Sequence, residues 1–214
     1  MKNFIRVSFV MAIMHVLCSN LLPAQDARIF NNSRHKIGFI TGYGGRNISQ
    51  LLDKDKTKNN YDYKVVFFQL QYYYSVLIKK SFGLDILIQP QYNITEFKYL
   101  YYRSVEKTNG YEYGLNIGLL ARINVLTDAF SFYFFLSSGP HYIPEMPERQ
   151  TGGFLFSSNV FLGVNIRIVK NLYLDIRPGL RHLSNLNLKL PNYGINNLVI
   201  SGGVMYVFKP KAHN

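Results

Sequence analysis

The sequence predicts an all-β protein, an eight-stranded antiparallel β-barrel, and three observations carry that prediction. Apolar and polar residues alternate with period two through most of the chain. The connections between the alternating runs are long and short in turn. The apolar side of the runs is aliphatic and bordered by aromatics, whereas the other side holds Gln, Asn, Ser and Gly with few charges.

Eight runs alternate, at about 35–44, 62–76, 82–92, 110–123, 130–141, 153–168, 171–184 and 195–208. The clearest is GYEYGLNIGLLARIN at 110–124, which sets Tyr111, Tyr113, Leu115, Ile117, Leu119, Ala121 and Ile123 against Glu112, Gly114, Asn116, Gly118, Leu120, Arg122 and Asn124. A strand between two different environments produces that split, because successive side chains point to opposite faces. FGLDILIQPQY (82–92) repeats it, with Leu84, Ile86 and Ile88 opposite Asp85, Gln89 and Gln91. FLFSSNVFLGVNIRI (154–168) does so again, with Val160, Leu162, Val164 and Ile166 opposite Asn159, Gly163, Asn165 and Arg167.

Runs two and three are joined by little more than KKS, four and five by NVLTDA, and six and seven by VK. The remaining joints are longer: GRNISQLLDKDKTKNN, NITEFKYLYYRSVEKTN, IPEMPERQTG and NLNLKLPNYG. Tight turns at one end and long loops at the other are the pattern of an outer-membrane barrel. A soluble lipocalin-like barrel also has eight alternating strands, but its polar side faces water and carries many Lys, Glu and Asp. The polar side here suits a narrow lumen filled by its own side chains. Tyr111, Tyr113, Phe154, Phe156, Tyr206 and Phe208 sit where interfacial girdles belong.

The start of the chain fits export. Lys2 and Arg6 precede the apolar stretch VSFVMAIMHVLCSNLL, so residues 1–24 read as a signal peptide and 25–214 as one barrel domain. If Cys18 leaves with that peptide, the mature chain offers neither a disulfide nor a thiol nucleophile. Removing Lys2 and Arg6 lowers the formal charge from +12 to +10, which suits an anionic partner or membrane surface. No mature segment has the roughly 20 unbroken apolar residues of a membrane helix. No Cys/His cluster predicts a metal, no Gly-rich loop predicts a phosphate cofactor, and only charge speaks for nucleic acid. With both termini in the periplasm, odd strands run outward, so the end of strand seven lies at the cell exterior.

That end carries RHLSNLNLKLPNYGINN, residues 181–197. Parity puts His182 and Ser184 in phase with Leu172, Leu174, Ile176, Pro178 and Leu180, on the lipid-facing side. Tyr173, Asp175, Arg177, Gly179 and Arg181 face the lumen, where the three charged residues are expected to form one cluster. Residues two apart on one strand face stand about 6.5 Å apart at Cα, so an imidazole can reach the hydroxyl. If the loop closes about residue 190, Ser184 lies opposite Asn196, with His182 diagonal to it. A nucleophile, a base and an orienting polar group suffice for acyl transfer. The same residues also suit interfacial positions of a non-enzymatic barrel serving structure, adhesion or lipopolysaccharide binding. Gly194 is expected at positive φ in the turn, and His141, in phase with Tyr133 and Ser137, in the lumen. Lys54, Lys56, Lys58, Arg103, Lys107 and Arg149 are expected in exterior loops.

HLSN at 182–185, followed by PNYGIN at 191–196, resembles the signature of the PagL-type lipid A 3-O-deacylases, which are eight-stranded outer-membrane barrels. The resemblance implies hydrolysis of the 3-position ester-linked 3-hydroxyacyl chain of lipid A, with lipopolysaccharide as substrate, outer-membrane lipids as surroundings and no cofactor. It implies Ser184 as nucleophile, His182 as general base and acid, and Asn185 at the oxyanion. The family's Glu falls at Asn196, which can orient the imidazole through its carbonyl oxygen but brings no charge. Glu145 or Glu148 of the third long loop is an alternative acid, and a catalytically inactive relative is the alternative outcome. A homodimer is compatible with all of this.

Overall fold

The computed structural model describes residues 33–46, 62–101, 104–126, 129–144 and 150–208. Eight strands follow in order: β1 (His35–Arg46), β2 (Asp62–Ile78), β3 (Phe82–Tyr101), β4 (Ser104–Leu126), β5 (Phe130–Ile143), β6 (Gly153–Val169), β7 (Leu172–Ser184) and β8 (Ile195–Val207). Each pairs antiparallel with the next, and β1 pairs with β8, closing the barrel. Among the described residues no helix is long and apolar enough to cross a membrane; in this fold strands do the crossing. The expected signal segment 1–24 lies outside the described residues, as do Lys54, Lys56, Lys58, Arg103, Glu145, Glu148 and Arg149.

One connection differs from expectation. NITEFKYLYYRSVEKTN is not a loop: β3 runs on to Tyr101, β4 begins at Ser104, and pairing holds from Ile94↔Tyr111 to Tyr101↔Ser104. Lys107 therefore lies in β4. The Thr, Phe and Tyr residues of this stretch favour strand wherever they are. The membrane ends the need for an apolar face, not the hydrogen-bonded ladder. The hairpin accordingly continues, flanked by β2 as far as Lys98 and as a two-stranded ribbon from there to its tip.

Burial follows parity strand by strand. On β5, Ser131, Tyr133, Phe135, Ser137 and His141 are buried, while Phe132, Phe134 and Leu136 are exposed on the outer wall. Tyr111, Tyr113, Phe154, Tyr206 and Phe208 are exposed on that wall and Phe156 is half-buried. Edge-to-face pairs link Phe154 to Phe156 at 5.1 Å and Tyr206 to Phe208 at 5.4 Å between ring centres.

The lumen is solid with side chains. Lumen glycines make room for large neighbours: a Cβ on Gly118 would fall 2.4 Å from Phe135, and one on Gly163 would fall 2.2 Å from Tyr133. Charges so far from water need partners. Asp85 receives Lys36 and Arg122, each at 2.9 Å. Glu112 accepts from Arg181, Asn93 and Tyr63. Asp175, Arg177 and Arg181 do face inward; Asp175 and Arg177 attract one another around Tyr133, whereas Arg181 stands apart with partners of its own. Asp175 accepts from Tyr133 and from Asn165, Arg177 donates to Gln69 and sits 5.4 and 5.3 Å from the Phe135 and Phe161 rings, and Arg181 binds Glu112 and Ser157. Successive inward residues on a strand lie at different heights, so each meets whatever strand crosses the lumen at its own level.

A candidate active site on the outer wall

His182 is exposed and Ser184 half-buried on the lipid-facing side of β7, while Arg181 and Leu183 between them are buried. The register places His182 directly opposite Asn196 on β8, not diagonal to it. The loop closes one residue earlier than symmetry about 190 would give, so Ser184 does not face Asn196. His182 Nδ1 and Asn196 Oδ1 are 2.7 Å apart. That bond is made when the imidazole carries its proton on Nδ1, which leaves Nε2 free to accept one.

Ser184 is held by the β7–β8 loop. Its Oγ lies 3.2 Å from both Oδ1 and Nδ2 of Asn192 and accepts from the Leu186 backbone N–H at 3.1 Å. Leu186 and Asn187 both have left-handed backbone, with φ of 55° and 63°. Such residues cost on the order of 1 kcal/mol each and persist where the surroundings hold them. Here they turn the Leu186 N–H back onto the serine. Asn192 also donates to Asn187 Oδ1 and accepts from the Asn185 N–H. Among the described residues no hydrogen bond joins Ser184 to His182; both project from one face, but the hydroxyl is turned to Asn192.

Asn185 is placed differently from the other candidates. Its side chain is 2% exposed, turned inward, and its amide donates to the Lys189 carbonyl at 2.7 Å. The structure thus brings His182 and Asn196 together, sets Ser184 beside them, and turns Asn185 away from the outer face.

Three further residues complete the site, of which the sequence marks only Gly194, as a turn residue. Asn192 is the anchor of Ser184, and its spacing from the serine gave no signal because the loop path is not periodic. Gly194 has φ of 68°, as the turn reading expects, and also makes room for the imidazole: a Cβ there would lie 2.6 Å from His182 Cε1. Gln150, just before β6, secures this region by accepting the Gly194 N–H at 3.1 Å and bridging to Asn192.

A groove of about 710 Å³ runs along the outer wall from Asn196 and His182 past Ser158 and Ser138 to Ile117. Its other side is aliphatic, formed by Leu180, Val160, Leu136, Leu119 and Ile86. The polar residues share one row of the sheet, since His182 pairs with Ser158 and Ser158 with Ser138. The two serine hydroxyls are 3.1 Å apart and small, which hollows the wall at that level. A lipid-facing wall with imidazole at the end of an aliphatic channel can hold an acyl chain and work on the group at its head.

The comparisons with known proteins bear on the fold and the family. No curated protein matches the chain by sequence. The solved outer membrane enzyme PagL is similar in fold, with a TM-score of 0.52 at 13% identity over 77% of this chain and 97% of that one. Neisserial surface protein A gives a TM-score of 0.45 at 13% identity over 81% and 96% of the two chains. The sequence model of lipid A 3-O-deacylase (PagL) matches residues 53–204, which span the barrel from before β2 into β8. An eight-stranded outer-membrane barrel matched over most of its length, the chain belongs to the lipid A 3-O-deacylase (PagL) family.

Proposed function

We propose that the protein is a serine esterase that removes the 3-hydroxyacyl chain from the 3-position of lipid A in the outer leaflet. The single observation that carries this reading is the 2.7 Å contact between His182 and Asn196 on the lipid-facing wall, in phase with Ser184. A polar His–Asn pair stands out on a wall otherwise built for acyl chains, and a hydrogen-bonded imidazole beside a hydroxyl is the minimum for acyl transfer. The acyl chain lies in the aliphatic groove with its ester at the His182 end.

The Ser184 hydroxyl turns from Asn192 toward His182. Nε2 takes its proton as Oγ attacks the ester carbonyl, and Asn196 Oδ1 holds the ring through Nδ1–H. The tetrahedral oxyanion forms near the Leu186 N–H and the Asn192 amide, which already converge on Ser184 Oγ. Asn185, the residue expected at the oxyanion, serves here by holding the Lys189 carbonyl, and it reaches the oxyanion only if its side chain turns outward. The imidazolium then protonates the departing sugar oxygen. A water, deprotonated by His182, releases the acyl group from Ser184. Each oxyanion donor is worth about 3 kcal/mol in such sites. Asn196 orients without charge, which predicts slower turnover than a carboxylate would support.

Mass spectrometry of lipid A from cells expressing the intact chain or Ser184→Ala tests the reading. The intact protein should release one 3-hydroxyacyl chain and the variant none, with both barrels folded in the membrane. Unchanged lipid A with the folded, intact protein would leave an inactive relative as the better account. The neutral Asn196 at the family's carboxylate position favours that second reading.

A further inference from the structure

We infer that the β7–β8 loop is a membrane-embedded element: its leucines enter the acyl region of the outer leaflet and form a wall beside Ser184. Leu186, Leu188, Leu190 and Tyr193 are 63, 68, 82 and 73% exposed, among the barest large apolar side chains in the described structure. The loop is built, not slack. Asn185 holds the Lys189 carbonyl, the Leu188 N–H donates to the Asn185 carbonyl, and Asn192 bonds Asn187. The Thr151 N–H and hydroxyl both reach the Pro191 carbonyl from the neighbouring connection. Polar atoms are thus turned to one another and apolar groups turned out, the reverse of a loop meant for water. Four exposed side chains of this size forgo the favourable burial of apolar surface in water and recover it in lipid. The same leaflet already covers Leu180 and Leu198, exposed on the strands that carry the loop, so the apolar surface is continuous with the barrel's lipid belt. Lys189, exposed between Leu188 and Leu190, can lie along the leucines with its ammonium at the anionic headgroups.

The protein has no tryptophan, so Leu188→Trp or Leu190→Trp introduces a single reporter at a position with little packing to lose. Each variant, folded as judged by heat-dependent gel mobility, is placed in phosphatidylcholine vesicles with plain or acyl-brominated chains. Insertion gives blue-shifted emission that brominated lipid quenches at least about 2-fold. Water-like, unquenched emission overturns the inference. Blue-shifted emission that brominated lipid leaves untouched also overturns it, because a second copy of the chain then covers the loop. None of these readouts depends on hydrolysis.

Discussion

His141 and His182 stand near the exterior ends of two outward-running strands, yet they inhabit different solvents. His141 is 1% exposed in the lumen, its ring 3.2 Å from the Gln91 amide and 3.3 Å from Asn116 Oδ1. His182 is exposed to lipid and bonded to Asn196. Both have an Asn oxygen at hydrogen-bond distance, so partner chemistry does not separate them. Parity does: one residue's shift along a strand exchanges a sealed interior for the outer leaflet. An acyl ester can reach only the second.

The largest test of that contrast replaces each histidine. His182→Ala should lower lipid A deacylation by roughly 10⁴-fold, the scale seen when a catalytic base is lost. His141→Ala should leave turnover unchanged and instead lower the unfolding temperature, because buried Gln91 and Asn116 lose a partner worth about 1–3 kcal/mol. Turnover assays beside thermal gel-mobility shifts measure both. A collapse of activity in well-folded His141→Ala would end the contrast.

Gly194→Ala is the next largest. The added methyl meets His182 Cε1 and must adopt φ of 68°, so the imidazole is pushed off Asn196 while the barrel pairing persists. Activity should fall about 10- to 100-fold, since misplacement by about 1 Å costs that much. Wild-type activity in the folded variant would show that the ring position seen here is not the working one.

Asn196→Glu is the smallest and the most informative for the outer site. A carboxylate on Nδ1–H stabilises the imidazolium that Asn can only orient, so kcat should rise by about 10-fold. A fall in kcat would mean that the neutral partner is tuned to this site.

Much of the architecture was written in local pattern. Period two in GYEYGLNIGLLARIN set the strand and both its faces, and the short joints set the antiparallel order. The β3–β4 connection is strand where local polarity predicts loop. A change of polarity does not end a strand: residues 93–101 and 104–109 continue the ladder, with β2 alongside as far as Lys98. At the site, HLSN revealed the outward His182 and Ser184, but not what holds them.

The sequence by itself determined which residues face lipid and which fill the lumen, because a strand's two faces repeat every second residue whatever its neighbours do. Only the tertiary structure decided that His182 meets Asn196 squarely, that Ser184 rests on Asn192, that Asn185 turns inward and that the loop's leucines turn out. Those outcomes depend on where β8 enters the register and how ten aperiodic residues close between the strands. Register and loop path are set by contacts between distant segments, which no local periodicity encodes.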